Sequence, residues 1–233
     1  MPMPSIRLTL GAMVLACIGT TASASDWEPM VQGQAREDIR TWVRDTEGMA
    51  VKAFRGVTEV HQPVLTVLAL LADIPNLSAW VYQCQSSVQP SGWQADHTYA
   101  RFKGIWPASD RDVLFQSTVT QQPDGTVVVA SRQVVGYPAQ DGFVRMPLLH
   151  NTFRLTPLKA RWTRVEFETQ VDLGGMVPTW LANMVSTKAP LVTLSGLRQQ
   201  VNKPAYQIQD ASELPTHYNK GQTVTLPAWH LTP

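Results

Sequence analysis

The sequence predicts an α+β fold in which a curved antiparallel β-sheet wraps around one long C-terminal helix. Three observations carry this. Runs with period-two alternation recur through the middle of the chain, separated by Pro, Gly and Asp turn signals. A short, strongly apolar helix pattern stands early, at 63–72, and a long one stands late, at about 178–201. One block of strands between two helices makes an antiparallel sheet with helices on one side, and such a sheet closed on a terminal helix encloses volume.

The chain opens with a segment that reads as a leader. Arg7 is its only charge, Leu8 to Ile18 is mostly apolar, and Ala22-Ser23-Ala24 ends a small-residue run. That order describes a secretory signal peptide over residues 1–24, cut before Ser25. The apolar centre falls short of the roughly 20 residues that a membrane anchor needs. An alternative is a lipoprotein, with Cys17 as the lipidated residue after Val14-Leu15-Ala16. The first reading predicts an exported chain, periplasmic or secreted; the second predicts one tethered to a membrane.

The domain is expected over residues 25–202. Trp27 to Gln34 reads as a short amphipathic lead-in. Residues 39–44 and 49–60 alternate on either side of Asp45-Thr46-Glu47-Gly48, which is a hairpin pattern. Pro63 opens a helix at a position that proline tolerates, and the leucines and valines that follow leave it apolar on most sides. Asp73-Ile74-Pro75-Asn76 ends it. Strands follow at 81–88, 98–103, 112–120, 126–135, 143–146, 151–155 and 161–172. In the last of these, Arg164, Glu166 and Glu168 alternate with Val165, Phe167, Thr169 and Val171, so one face is wet and the other buried. Gly174-Gly175 breaks the strand, Pro178 starts the long helix, and Pro190 is expected to bend it. Residues 203–233 show no clear period and read as an extended tail, with packing on the domain as an open alternative.

Composition bounds the function. The chain has 19 Lys and Arg against 18 Asp and Glu, and only Arg7 lies in the leader, so the exported chain is formally neutral. Nothing in that balance points to a nucleic-acid binder, which should show a basic stripe. With 44% hydrophobic and 16% charged residues, there is apolar surface to bury and a cavity to line. Beyond the leader Cys84 stands alone, which reads as a small buried hydrophobe. The five histidines are scattered without metal-ligand spacing, and no nucleophile or phosphate-binding motif is present. No catalytic residue, metal or cofactor is assigned.

Four segments, in order, resemble the START lipid-transfer family over roughly Trp27 to Val201. They are Ile74-Pro75-Asn76-Leu77-Ser78-Ala79-Trp80, Trp106-Pro107-Ala108-Ser109-Asp110-Arg111-Asp112, Phe143-Val144-Arg145, and Asp172 to Asn183. The last joins a strand end, a Gly break, a Pro helix start and an Asn at fixed offsets. Ile105 departs from the family, which usually has Pro before this Trp. The resemblance implies a helix-grip fold, a hydrophobic tunnel closed by the C-terminal helix, and a gate in the loop between two middle strands. Here that loop is taken as Gly136 to Gly142, with Tyr137-Pro138 at its tip.

The expected ligand positions follow from parity and helical spacing. Phe115, Ser117 and Val119 share the buried parity of one strand, and Phe167, Thr169 and Val171 that of another. On the last helix Ala182, Ser186, Ala189 and Thr193 form a small-residue arc by helical spacing, and the resemblance implies that this arc faces the tunnel. A bulky arc (Trp180, Leu181, Met184, Val185, Leu191, Val192) is expected to seal the helix to the sheet. Arg111-Asp112 and Arg145 read either as head-group anchors or as structural pairs. The expected partner is a lipid or other apolar small molecule, bound by a monomer with transient membrane contact. An enzyme of the cyclase or hydrolase type on the same fold, and a non-transporting sensor, are the alternatives.

Overall fold

The structure, a computed structural model, describes residues 27–215, 218 and 224–231. The expected leader, with Cys17, lies outside the described residues.

The strands are β1 (Glu28–Val31), β2 (Arg40–Arg44), β3 (Ala53–Val60), β4 (Cys84–Val88), β5 (His97–Phe102), β6 (Asp110–Gln121), β7 (Val127–Gln133), β8 (Phe143–Arg145), β9 (Leu148–Pro157) and β10 (Thr163–Asp172). The helices are α1 (Val64–Ala72), α2 (Thr179–Gln200) and α3 (Ala228–Leu231), with single 3-10 turns at Ile74–Ala79, Pro204–Tyr206 and Ala211–Glu213. One curved sheet runs in the order β1-β2-β3-β10-β9-β7-β6-β5-β4. Every pairing on that path is antiparallel, and β8 alone pairs parallel, against β6. This is the helix-grip arrangement, with the lead-in contributing the edge strand β1.

Residue choice sets the layers. On β10 the positions Thr163, Val165, Phe167, Thr169 and Val171 are buried, while Arg164 and Glu168 are exposed. The outward row is closed by cross-strand charge pairs, with Arg164 opposite Glu59 and bonded to it at 3.2 Å. The helix α2 lies across β2 and β3. Gly56 on β3 makes room for it: a Cβ there would stand 2.7 Å from Leu194 Cδ1. The helix runs unbroken through Pro190. All of α1 but Ala69 is buried, as an apolar surface on most sides requires.

The segment after α2 is more than an extended tail. Tyr206, Leu214, Tyr218 and Val224 join the main core, and His230 is fully buried. His230 Nδ1 is 2.7 Å from Leu158 O, and its Nε2 accepts from the Val64 N–H at the start of α1. Gln121 holds the same segment at Thr225 through two hydrogen bonds. These anchors are single side chains spaced irregularly, so no period announces them.

Candidate functional site

Between the inner face of the sheet, the end of α1 and one flank of α2 lies a cavity of about 190 Å³. Its wall is mostly aromatic and aliphatic. Phe153 and Phe167 stack at 4.7 Å between centroids, and Trp80 meets Phe153 edge-on at 6.0 Å. Among the described residues the wall holds no Asp, Glu or His; its two charged side chains are Lys103 and Arg111.

Of the sequence-derived candidates, Phe115, Ser117, Phe167, Thr169, Val171, Ala189 and Thr193 wall this cavity. Val119 packs against the core one position too far along β6 to reach it. Ala182 and Ser186 are buried but do not line it. The division of α2 into a sealing bulky arc and a cavity-facing small arc is corrected. Leu181, Val185, Ala189 and Thr193, one i to i+4 ridge, face the cavity, while Trp180, Leu191 and Val192 stand in solvent. Residue size and helix face are independent here, because orientation is set by the ridge that fits beside β3.

Sequence reasoning missed Ser131 and Asn151, both on the wall. Period-two parity with Val129 and with Phe153 carries each of them inward. It also missed Tyr218, for which no periodic signal exists.

The connection between β5 and β6 contributes Lys103, Gly104, Ile105 and Ala108 to the wall, which Gln83, Leu173 and Leu181 also line. Arg111 ties this connection to the strand-to-helix turn. The guanidinium donates to Ser109 O on the connection, and to Leu173 O and Gly174 O at 3.4 Å on the strand-to-helix turn. Burial lowers its pKa, opposed by neighbouring Asp110. On this connection Trp106 is 88% exposed, and Met176 on the turn after β10 and Trp180 at the start of α2 are 94% and 53% exposed.

The loop 136–142 sits elsewhere: neither Tyr137 nor Pro138 lines the cavity. The loop is pinned, with Arg145 donating to Tyr137 O and Pro138 O at 2.9 Å while gripping Asp112 with two further bonds of 2.8 and 2.9 Å. Tyr99 donates to the same carboxylate, and Tyr137 stacks on Tyr99 at 4.4 Å. Burial alone would raise the Asp112 pKa, but the bonds from Arg145 and Tyr99 outweigh it and hold the carboxyl below its ordinary value. Asp112 and Arg145 are therefore a structural pair. The loop expected to act as a gate at Tyr137-Pro138 is thus tied to β6 and β8 by this network.

Chemistry on the wall is sparse. Cys84 lines the cavity as a free thiol whose pKa burial pushes up to about 11, so it is protonated at neutral pH. No cluster of potential metal ligands occurs among the described residues, and no described helix is long and apolar enough to cross a membrane.

An antiparallel sheet gripping a helix over an apolar cavity defines the class: a helix-grip domain suited to enclosing a hydrophobic molecule. A START-domain family model matches residues 18–205, and the chain belongs to that family. It is 30% identical to an uncharacterized protein of Pseudomonas aeruginosa over 200 residues, which are 85% of this chain and 98% of that one. Among solved structures it is similar to a STAR-related lipid transfer protein from Xanthomonas axonopodis, with 27% identity and a TM-score of 0.67 over 77% of this chain and 100% of the other. Human StAR-related lipid transfer protein 5 shares the fold, at 18% identity and a TM-score of 0.63 over 77% and 88% of the two chains.

Proposed function

We propose that the protein binds one lipid-like molecule in this cavity and carries it between membranes outside the cytoplasm. The observation that supports this most directly is the cavity itself. It is nearly all apolar, and walled by seven of the positions selected from the sequence. Membership of the START family supports ligand binding, and the similar Xanthomonas protein is described as a lipid transfer protein. Binding is favoured over turnover because, among the described residues, the wall offers no carboxylate, no histidine and no ionised thiol. Export rests on the leader pattern of residues 1–24. The proposed transient membrane contact rests on the exposed apolar side chains Trp106, Met176 and Trp180.

The test is mass spectrometry of organic extracts from protein purified from its native host. A stoichiometric lipid is expected. Protein that carries none, and that moves no labelled lipid between vesicles, would refute the proposal. N-terminal sequencing of the same sample should give Ser25; a lipid-modified Cys17 would replace the carrier with a tethered binder.

A further inference from the structure

Strand register places four uncharged polar side chains in one row across the cavity wall. Ser117 on β6 stands opposite Ser131 on β7, Ser131 opposite Asn151 on β9, and Asn151 opposite Thr169 on β10. All four line the cavity. Four strands at about 4.8 Å spacing make the row about 14 Å wide. The cavity-lining residues of the rows on either side are apolar: Val129, Phe153 and Phe167 on one, Phe115, Leu149 and Val171 on the other, where Gln133 of β7, opposite Phe115, stands off the wall.

Within the row, Ser117 Oγ lies 2.8 Å from Ser131 Oγ, and Thr169 donates to Asn151 Oδ1 at 3.0 Å. The Asn151 amide nitrogen has no hydrogen-bond partner among the described residues. Tyr218 closes the row at its Ser117 end. Its ring is buried on the cavity wall, its hydroxyl donates to Leu71 O at 3.2 Å, and hydrogen bonding to Ser117 opposes the rise in its pKa that burial causes. Tyr218 lies beyond residues 18–205, the span matched by the family model.

We infer that this row, completed by Tyr218 from the C-terminal segment, is the recognition site for one uncharged oxygen-bearing group of the ligand: an alcohol, ketone or ester carbonyl. The inference rests on the apolar-ligand reading above and narrows it. Five neutral side chains offer donors and acceptors but no charge. A carboxylate or phosphate brought here would lose its hydration with no cation to replace it. Arg111 stands six residues back along β6, about 20 Å away at 3.3 Å per residue. A neutral polar end therefore enters first and the apolar body fills the cavity behind it. An apolar molecule with no oxygen leaves Asn151 and the hydroxyls facing hydrocarbon, so it binds less well.

Three probes with one ring system test this: 1-pyrenebutanol, 1-butylpyrene and 1-pyrenebutyrate, titrated by fluorescence into the purified protein. The alcohol is expected to bind at least tenfold more tightly than either of the others. Tyr218→Phe, Asn151→Leu and the near-isosteric Thr169→Val should each cut that preference to threefold or less, by weakening the alcohol, by strengthening butylpyrene, or by both. Ligand-free melting reports whether each variant folds, and the two conservative changes, Tyr218→Phe and Thr169→Val, decide the matter if Asn151→Leu does not. Equal binding of all three probes, or a preference that survives both conservative changes, overturns the row as a recognition site while the apolar pocket stands. Failure of every probe to bind overturns both.

Discussion

Asp112 is almost wholly enclosed and accepts from two residues, Arg145 and Tyr99, while Arg145 reaches on to the carbonyls of Tyr137 and Pro138. A carboxyl whose folded pKa lies below its unfolded value of 3.8 contributes stability that is fully present above that value and is lost as pH falls through the folded one. Asp112→Asn should therefore lower the urea midpoint most at neutral pH, with the gap to the parent narrowing below about pH 4. A gap constant from pH 7 to pH 2 would show that the charge contributes nothing. Gly174 makes a second point at this scale. Its φ is +66°, and a Cβ there would meet Arg145 O at 2.7 Å. Gly174→Val should cost at least about 1–2 kcal/mol from the left-handed backbone alone, more than Gly175→Val, where φ is +63° but the nearest atom is Val144 Cγ1 at 3.6 Å. Thermal melts of both variants check the order. The sequence marks both features, since a double glycine at a strand end and an arginine between apolar neighbours each demand an explanation. It does not say which carboxylate the arginine finds, because Asp112 and Arg145 are brought together by the parallel pairing of β6 with β8.

At the scale of elements, α2 decides what the cavity can hold. Ala189 sits on the ridge that faces inward, with Leu181, Val185 and Thr193, whereas Val192 points to solvent. Ala189→Trp should fill the space and weaken binding of a fluorescent lipid at least tenfold, and Val192→Trp should leave it unchanged. Equal binding by both would mean that the ridge does not contact the ligand. Period two made the strands legible: the alternation of residues 163–171 fixed the inward face of β10, and Ser117 and Thr169 were found by it. The helix was harder. Its inward face mixes Leu, Val, Ala and Thr, because a cavity wall lacks the uniform bulk of a packed core, so ranking residues by size selected Ala182 and Ser186 on the wrong sector. The C-terminal segment was illegible for another reason. Its attachment points, Tyr206, Tyr218 and His230, act one at a time through hydrogen bonds to Asp73, Leu71, Leu158 and Val64.

For the whole molecule the proposed carriage of a ligand raises the question of how it crosses water. Removing apolar area from a lipid-lined or protein-lined site costs about 25 cal/mol per Å², so under that proposal exit at a membrane surface is faster than exit into solvent. The exposed apolar side chains proposed for membrane contact are Trp106, Met176 and Trp180, on the β5–β6 connection, the turn after β10 and the start of α2. Arg111 ties the first two of these segments together through the carbonyls of Ser109, Leu173 and Gly174. Trp106 is 88% exposed and does not wall the cavity, so changing it leaves the bound ligand's contacts intact. Trp106→Asp should then keep equilibrium affinity for a fluorescent lipid within about twofold while slowing its transfer between vesicles at least fivefold, with Tyr137→Asp as the control on the pinned loop at the parent's rate. Raising vesicle concentration should speed transfer by the parent and leave Trp106→Asp nearly unaffected, because only a collisional route depends on how often protein meets membrane. If Trp106→Asp transfers at the parent's rate, or if transfer by the parent is independent of vesicle concentration, the ligand leaves through water and the exposed tryptophan has no part in its release.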